Sequence, residues 1–284
     1  MERRERLSER GSAPHPAAAR PPSPRVRGEK GRRREEIGAA FLIALIFPPI
    51  PAHADRLALW TIVHDRCVAN LAAHRPPDPC VSVELDGGEA QGVAILKDIV
   101  GKAQHLAIPT RRVSGIESAD LLAPDAPPVW REAWKARGLV NARLGVELPR
   151  GAIAIAVNSS LARSQDQLHL HVDCLAPDIA NALAAYRRFL NVDWHVLPFA
   201  LAGRRYWARR LDSADLSDVA PFLLLADGVP NARATMPMES LVAVGADFAS
   251  DAPGFILLAD QAELGQGGHG EDLQDHSCVI ALPR

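Results

Sequence analysis

Apolar and polar positions alternate along this chain with two different periods, and the changes of period mark its elements. From Asp55 to Asn70 the apolar residues Leu57, Trp60, Ile62, Val63 and Cys67 recur at helical spacing, which predicts a helix with His64 and Asp65 on its surface. Pro76, Pro77 and Pro79 make Leu71–Pro79 a loop, and Asp86-Gly87-Gly88 predicts a turn. Val93–Leu96 and Gln104–Ile108 read as two short strands joined by a turn at Gly101, the second ended by Pro109. A helix follows over Val129–Arg143, with Trp130, Trp134 and Leu139 on one side. Pro127 and Pro128 fit its start, and Gly145 lies beyond its end. Gly151–Val157 is a strand, Asn158–Ser164 a polar turn and Gln165–Cys174 a second strand, together an antiparallel pair. Pro177–Leu190 reads as a helix. Pro221–Ala226, Ser240–Gly245 and Phe255–Ala259 are apolar runs with weaker organisation. The pattern predicts one α+β domain over residues 55–284, an antiparallel sheet with helices packed on it.

The strand predicted at Gln165–Cys174 carries the candidate chemistry. Alternate residues of a strand share a face, so Gln165, Gln167, His169, His171 and Asp173 stand on one side and Leu168, Leu170, Val172 and Cys174 on the other. Two imidazoles on one face permit two chemistries. Neutral imidazole suits zinc, with Asp173 as a local third ligand beside His169 and His171. A neutral imidazole can equally attack phosphorus and form a covalent intermediate, with Gln165 and His169 stabilising the charge that develops. The bland reading is a pair of surface or internally satisfied histidines. Spacing leaves all three open.

Charge and composition narrow the context. Residues 1–36 carry 11 Lys/Arg and 6 Asp/Glu, and residues 37–54 carry none of either. The remaining body holds 21 basic and 28 acidic residues, a net of −7. An acidic body argues against nucleic acid as partner, because that affinity comes mainly from neutralising phosphates. Met1–Glu36 has too few large apolar residues to offset its chain entropy and reads as a disordered basic leader. Ile37–Phe47 is an uncharged apolar run of 11 residues, about 16 Å as a helix against a bilayer core of about 30 Å. With Arg32–Arg34 before it and Ala52-His53-Ala54 after it, the segment reads as a signal peptide or a retained membrane anchor. Four cysteines, Cys67, Cys80, Cys174 and Cys278, follow the proposed cut, and an even count suggests two disulfides in an oxidising compartment. Local spacing favours Cys67 with Cys80, closing a loop worth on the order of 3 kcal/mol, and leaves Cys174 with Cys278.

The spacing Asn158-x6-Gln165-x3-His169-x-His171 resembles the histidine-triad superfamily. More narrowly, the pieces Cys67-Val-x-Asn70, Leu96-Lys-Asp98, Ile108-Pro-Thr-x-Arg112, Gly115-Ile-Glu-Ser118, Gln167-Leu-His-Leu-His171, Tyr206-x-Ala-Arg-Arg210 and Asp275-His-x-Cys278 resemble the CDP-diacylglycerol pyrophosphatase family. The resemblance implies a histidine-triad-like antiparallel sheet and hydrolysis of CDP-diacylglycerol to CMP and phosphatidate, without a cofactor. His171 aligns with the superfamily nucleophile. His169 and Gln165 would hold phosphate oxygens or orient that nucleophile, Asn158 would contact phosphate or fix the turn, and Asp98 matches the position that holds ribose hydroxyls. Lys97, Arg112, Arg163, Arg209 and Arg210 are the candidate cations for the diphosphate, and Gln167 joins them as a substrate contact. The third histidine of the triad is Asp173 here, so this carboxylate is expected to orient an imidazole or to point away. The same resemblance suggests an exported protein, periplasmic or anchored to the inner membrane, working at a membrane surface. A metal-dependent hydrolase, a hydrolase of a soluble nucleoside diphosphate compound and a non-catalytic binding protein are the competing readings.

Overall fold

The computed structural model describes residues 55–263 and 265–282; the leader and apolar run lie outside them. Their strands form one sheet of nine, in the order β1 (Ser82–Glu84), β2 (Val93–Lys97), β3 (His105–Pro109), β5 (Leu170–Cys174), β4 (Ile153–Val157), β8 (Glu239–Asp247), β9 (Pro253–Gln261), β7 (Trp207–Leu211) and β6 (His195–Val196). Every neighbouring pair is antiparallel. The fold is therefore α+β with a large antiparallel sheet, as the pattern predicts. The weakly patterned runs near 240 and 255 turn out to be the two longest strands, paired over nine residues.

Three helices position the site. The first, α1, is continuous in three stretches: α-helical over Ala58–Thr61, π-helical over Ile62–Val68 and α-helical again over Ala69–Ala72. The second, α2 (Val129–Leu144), buries Val129, Trp130, Ala133, Trp134, Ala136 and Val140, the spacing of a helix with one face on a core. Gly145 ends it in the left-handed conformation (φ 70°), where a side chain would be strained, and its N–H bonds to the Asn141 carbonyl. The third, α3 (Pro177–Tyr186), starts on Pro177, which needs no intrahelical N–H partner at that position. It is shorter than predicted, because Arg187–Phe189 tightens into a 3₁₀ turn.

The second strand of the central pair is also shorter than predicted. Its ladder to β3 stops at Ala107↔Leu170. Gln165–His169 runs outside the sheet because the Gln167 amide bonds to the carbonyls of Pro109 and Arg111 and accepts from the Val113 N–H. Side-chain bonding there replaces the strand ladder.

The two faces of the sheet are covered differently. Beneath α2, and beneath α4 (Pro221–Gly228), lies one continuous apolar cluster that includes Leu170, Val172 and Cys174 of β5. The opposite face carries two clusters. One joins Leu59, Val63, Cys67 and Val68 of α1 to Ala94, Leu96, Leu106 and Ile108 of β2 and β3. The other joins Ile179 and Leu183 of α3 to Ala154, Ala156, Val242 and Val244 of β4 and β8. β5 runs between β3 and β4, so His171 and Asp173 fall in the gap between the two clusters.

Both disulfides form as spacing suggests, Cys67–Cys80 and Cys174–Cys278. The second spans 104 residues, a closure worth roughly 4–5 kcal/mol on loop-entropy grounds. It holds the end of the chain against β5. There Asp275 N–H bonds to the Cys174 carbonyl, Ala176 N–H to the Leu273 carbonyl, and the Gln274 amide to the carbonyls of Ala154 and His171.

Candidate active site

A cavity of about 370 Å³ opens in the gap between the two clusters. Leu59 and Ile62 of α1 form one wall, and Leu96, Lys97 and Asp98 at the end of β2 form another. His169, His171, Gln165 and Gln104 meet at its base together with Glu271, which arrives from the C-terminal segment. A larger cavity of about 480 Å³ lies between residues 121–131 and 216–223, but Arg131 and Asp218 are its only ionisable groups and it contains no histidine. The smaller one gathers the candidate residues Gln165, His169 and His171.

His171 is held on both sides. Its backbone sits in the register Leu106↔His171↔Ala156. Its ring packs edge-on against His169 with centroids 4.8 Å apart. Nδ1 approaches Glu271 Oε1 at 3.0 Å, off the direction of an aligned N–H bond, and Nε2 has no protein partner. The residue is 5% exposed, with both ring nitrogens just beneath the cavity surface. Glu271 is itself clamped. Asn158 Nδ2 donates to its Oε2 at 2.5 Å, Gln104 Nε2 donates to Oε1 at 3.2 Å, and its own N–H reaches Asn158 Oδ1. Burial alone would raise this carboxyl; His171 beside it, then Asn158 and Gln104, bring it down to about 2.

His169 is buried and its ring pKa falls to about 4, from burial first and His171 second. Its Nδ1 lies 2.7 Å from the Gln167 carbonyl, which can only accept, so the proton sits on Nδ1 and Nε2 carries a lone pair. A neutral ring in this tautomer cannot donate to a phosphate oxygen. Its role in this geometry is to pack against His171.

Asp173 is fully buried and does orient an imidazole, though neither of the two on its own strand. Its Oδ2 bonds to His276 Nδ1 at 2.9 Å, and its Oδ1 takes the Cys174 N–H. The bond to Asp173 raises the pKa of His276, whose Nε2 is 3.9 Å from Glu271. This commitment removes Asp173 from the ligand set proposed with His169 and His171. Among the described residues, the one group of three donors with mutually close ligand atoms is Asp173, Cys174 and Cys278, and its two sulfurs are bonded to each other.

The other predicted contacts divide. Gln165 lines the cavity and ties its loop to α1, accepting from Leu59 N–H and donating to the Asp55 carbonyl. Asn158 reaches the site through Glu271. Lys97 and Asp98 are at the mouth, and Lys97 is the one Lys or Arg among the described residues that lines this cavity. Its amine bonds to the carbonyls of Asp98 and Gly101, and burial lowers its pKa. Five predicted contacts do not line this cavity. Gln167 spends its amide on the Pro109–Val113 turn. Arg163 is neutralised behind His169 by Glu117 at 2.6 Å and Asp166 at 3.2 Å. Arg112 is exposed and stacks over Trp60. Arg209 and Arg210 lie on β7, four strands and about 19 Å from β5. There Arg209 stacks on Trp194, while Arg210 stacks on Phe248 and pairs with Asp212. Sequence reasoning missed Glu271 and Gln104, which have no local signature, and left His276 as part of a motif without a role.

Residues 54–282 match the profile of the CDP-diacylglycerol pyrophosphatase family. The CDP-diacylglycerol pyrophosphatase of Yersinia pestis is 38% identical over 225 residues, which cover 78% of this chain and 84% of that protein. With a match across nearly the whole described fold, the chain belongs to the CDP-diacylglycerol pyrophosphatase family.

Proposed function

We propose that this hydrolase cleaves the diphosphate of CDP-diacylglycerol by covalent catalysis at His171. The observation that carries this reading is the Glu271–His171 pair at the base of a cavity of nucleotide size. A carboxylate at Nδ1 keeps the proton there and leaves the Nε2 lone pair for attack. In the first step Nε2 bonds to the cytidine-bearing phosphorus, and the anhydride P–O bond breaks with its electron pair on phosphatidate. That leaving group is a phosphate monoester and departs without strong need of a general acid. In the second step water attacks the same phosphorus, the P–N bond breaks and CMP leaves. Glu271 stabilises the imidazolium formed between the steps. Lys97 contributes positive charge to the mouth, its N–H groups being occupied by carbonyls.

Because Nε2 lies just below the surface, the reaction requires the Ser164–Gln165 segment or the start of α1 to shift by a small amount. Gln165 links those two elements and is the natural hinge. A histidine-triad-like arrangement is supported by the paired β2–β3 and β4–β5 strands that frame His171. Two disulfides support an oxidising, periplasmic compartment, and the sequence of residues 1–54 supports a leader or anchor ahead of a catalytic domain at 55–284.

Hydrolysis in ¹⁸O-water tests the reaction. Label in CMP and none in phosphatidate, with turnover unaffected by a chelator, is the expected result. Label in phosphatidate, or activity lost to EDTA and restored by zinc, contradicts it.

A further inference from the structure

The turn between β2 and β3 presents two apolar side chains to solvent at the mouth of the cavity. Ile99 is 100% exposed and Val100 is 53% exposed, and both border the same opening as Lys97 and Asp98. Single exposed apolar residues are ordinary. These two are adjacent, sit at the entrance of the site and are fixed in place. Lys97 reaches under the turn to the carbonyls of Asp98, Val100 and Gly101, and Asp98 Oδ1 accepts the Val100 N–H. The Lys102 N–H bonds to the His276 carbonyl and closes the turn from the far side. The turn is thus braced from within while its tip points outward.

The cavity cannot hold a whole liponucleotide. At about 370 Å³ it lies near the small end of ligand sites, which run from about 300 to 1,000 Å³, and has room for the nucleotide diphosphate but not for two acyl chains as well. The chains must leave past the rim. In the sequence, the apolar run Ile37–Phe47 is separated from Asp55 by seven residues, so the chain carries a second apolar segment suited to a lipid surface. Lys102, exposed beside the tip, suits an anionic lipid surface.

We infer that the Ile99–Val100 tip is the docking element that seats the cavity mouth on a lipid bilayer, so that the headgroup enters while the acyl chains stay in the membrane. This rests on the substrate proposed above. The test uses the full chain and two substrates: long-chain CDP-diacylglycerol in phosphatidylcholine vesicles, and a short-chain form dispersed as monomers. In the double variant Ile99→Ser, Val100→Ser, which removes five side-chain carbons, the ratio of vesicle to monomer activity falls about tenfold or more, tenfold being the scale for about two of them buried in the bilayer. An unchanged ratio overturns the inference. A parent chain inactive on both substrates overturns the proposed function instead. For that case Ile99→Trp gives a separate readout: vesicles with brominated acyl chains quench its additional fluorescence if the tip inserts, and leave it unquenched if it does not.

Discussion

The two faces of β5 are finished in opposite ways. Leu170, Val172 and Cys174 join one uninterrupted apolar cluster, where each side chain is replaceable only by another of similar shape. One residue over in each case, His171 and Asp173 face a gap between two clusters and belong to neither. Most buried polar groups in that gap have found a partner: Asp173 in His276, His169 in the Gln167 carbonyl, Glu271 in Asn158 and Gln104. Among the described residues at the site, the exceptions are Gln104 Oε1 and the two ring nitrogens of His171, Nδ1 keeping only its 3.0 Å approach to Glu271. One face is apolar and packed throughout, and the other leaves an imidazole without an aligned bond at the base of a cavity.

Four predictions press on this contrast. The largest effect belongs to His171→Ala, which should lower turnover by about 10⁴-fold or more while leaving thermal unfolding close to that of the parent. Leu170→Ala, on the other face of the same strand, should do the reverse. It loses about 2–5 kcal/mol in denaturant unfolding, and activity per folded molecule is kept. Glu271→Gln keeps the shape of the pair but not its charge, and kcat should drop about 10²–10³-fold with KM little altered. The smallest effects separate the cations. Lys97→Met should raise KM about tenfold, whereas Arg209→Gln or Arg210→Gln should change kcat/KM less than about twofold, because β7 is remote.

The polar face also sets the dependence of stability on pH. The Glu271 carboxyl is depressed from 4.5 to about 2, so its contribution is present above pH 4.5 and is lost as pH falls toward 2. His169, depressed from 6.5 to about 4, loses its contribution as pH falls through that window. His276 is shifted the other way by Asp173, so its contribution is present below pH 6.5 and is lost as pH rises through its raised folded value. Melting temperature against pH should therefore fall on the acid side with a limb that Glu271→Gln flattens, and on the alkaline side with a limb that His276→Ala removes.

How much of this was legible in the sequence follows from the range of each interaction. Alternation from Leu168 to Cys174 identified the strand, its two faces and both imidazoles, because a period of two is local. The Pro and Gly residues flanking α2 marked its ends for the same reason. Alternation also extended that strand five residues too far, since nothing in Gln165–His169 reveals that the Gln167 amide is bonded to a turn more than fifty positions away. Glu271 was invisible: it reaches Asn158 across 113 residues, on a segment placed by a disulfide and by Gln274 rather than by any pattern of its own. The Arg pair at 209–210 was misjudged because a motif gives residue type and order, while its distance from the site depends on the strand order of the whole sheet.

The most direct test of the account is chemical trapping of the enzyme during turnover. Substrate labelled at the cytidine phosphate is mixed with the full chain and quenched in alkali, where phosphohistidine persists, and the peptide containing residue 171 is isolated. Label on His171, absent from His171→Ala, is the predicted result. Normal turnover with an unlabelled His171 peptide, or label carried by another residue, would contradict it.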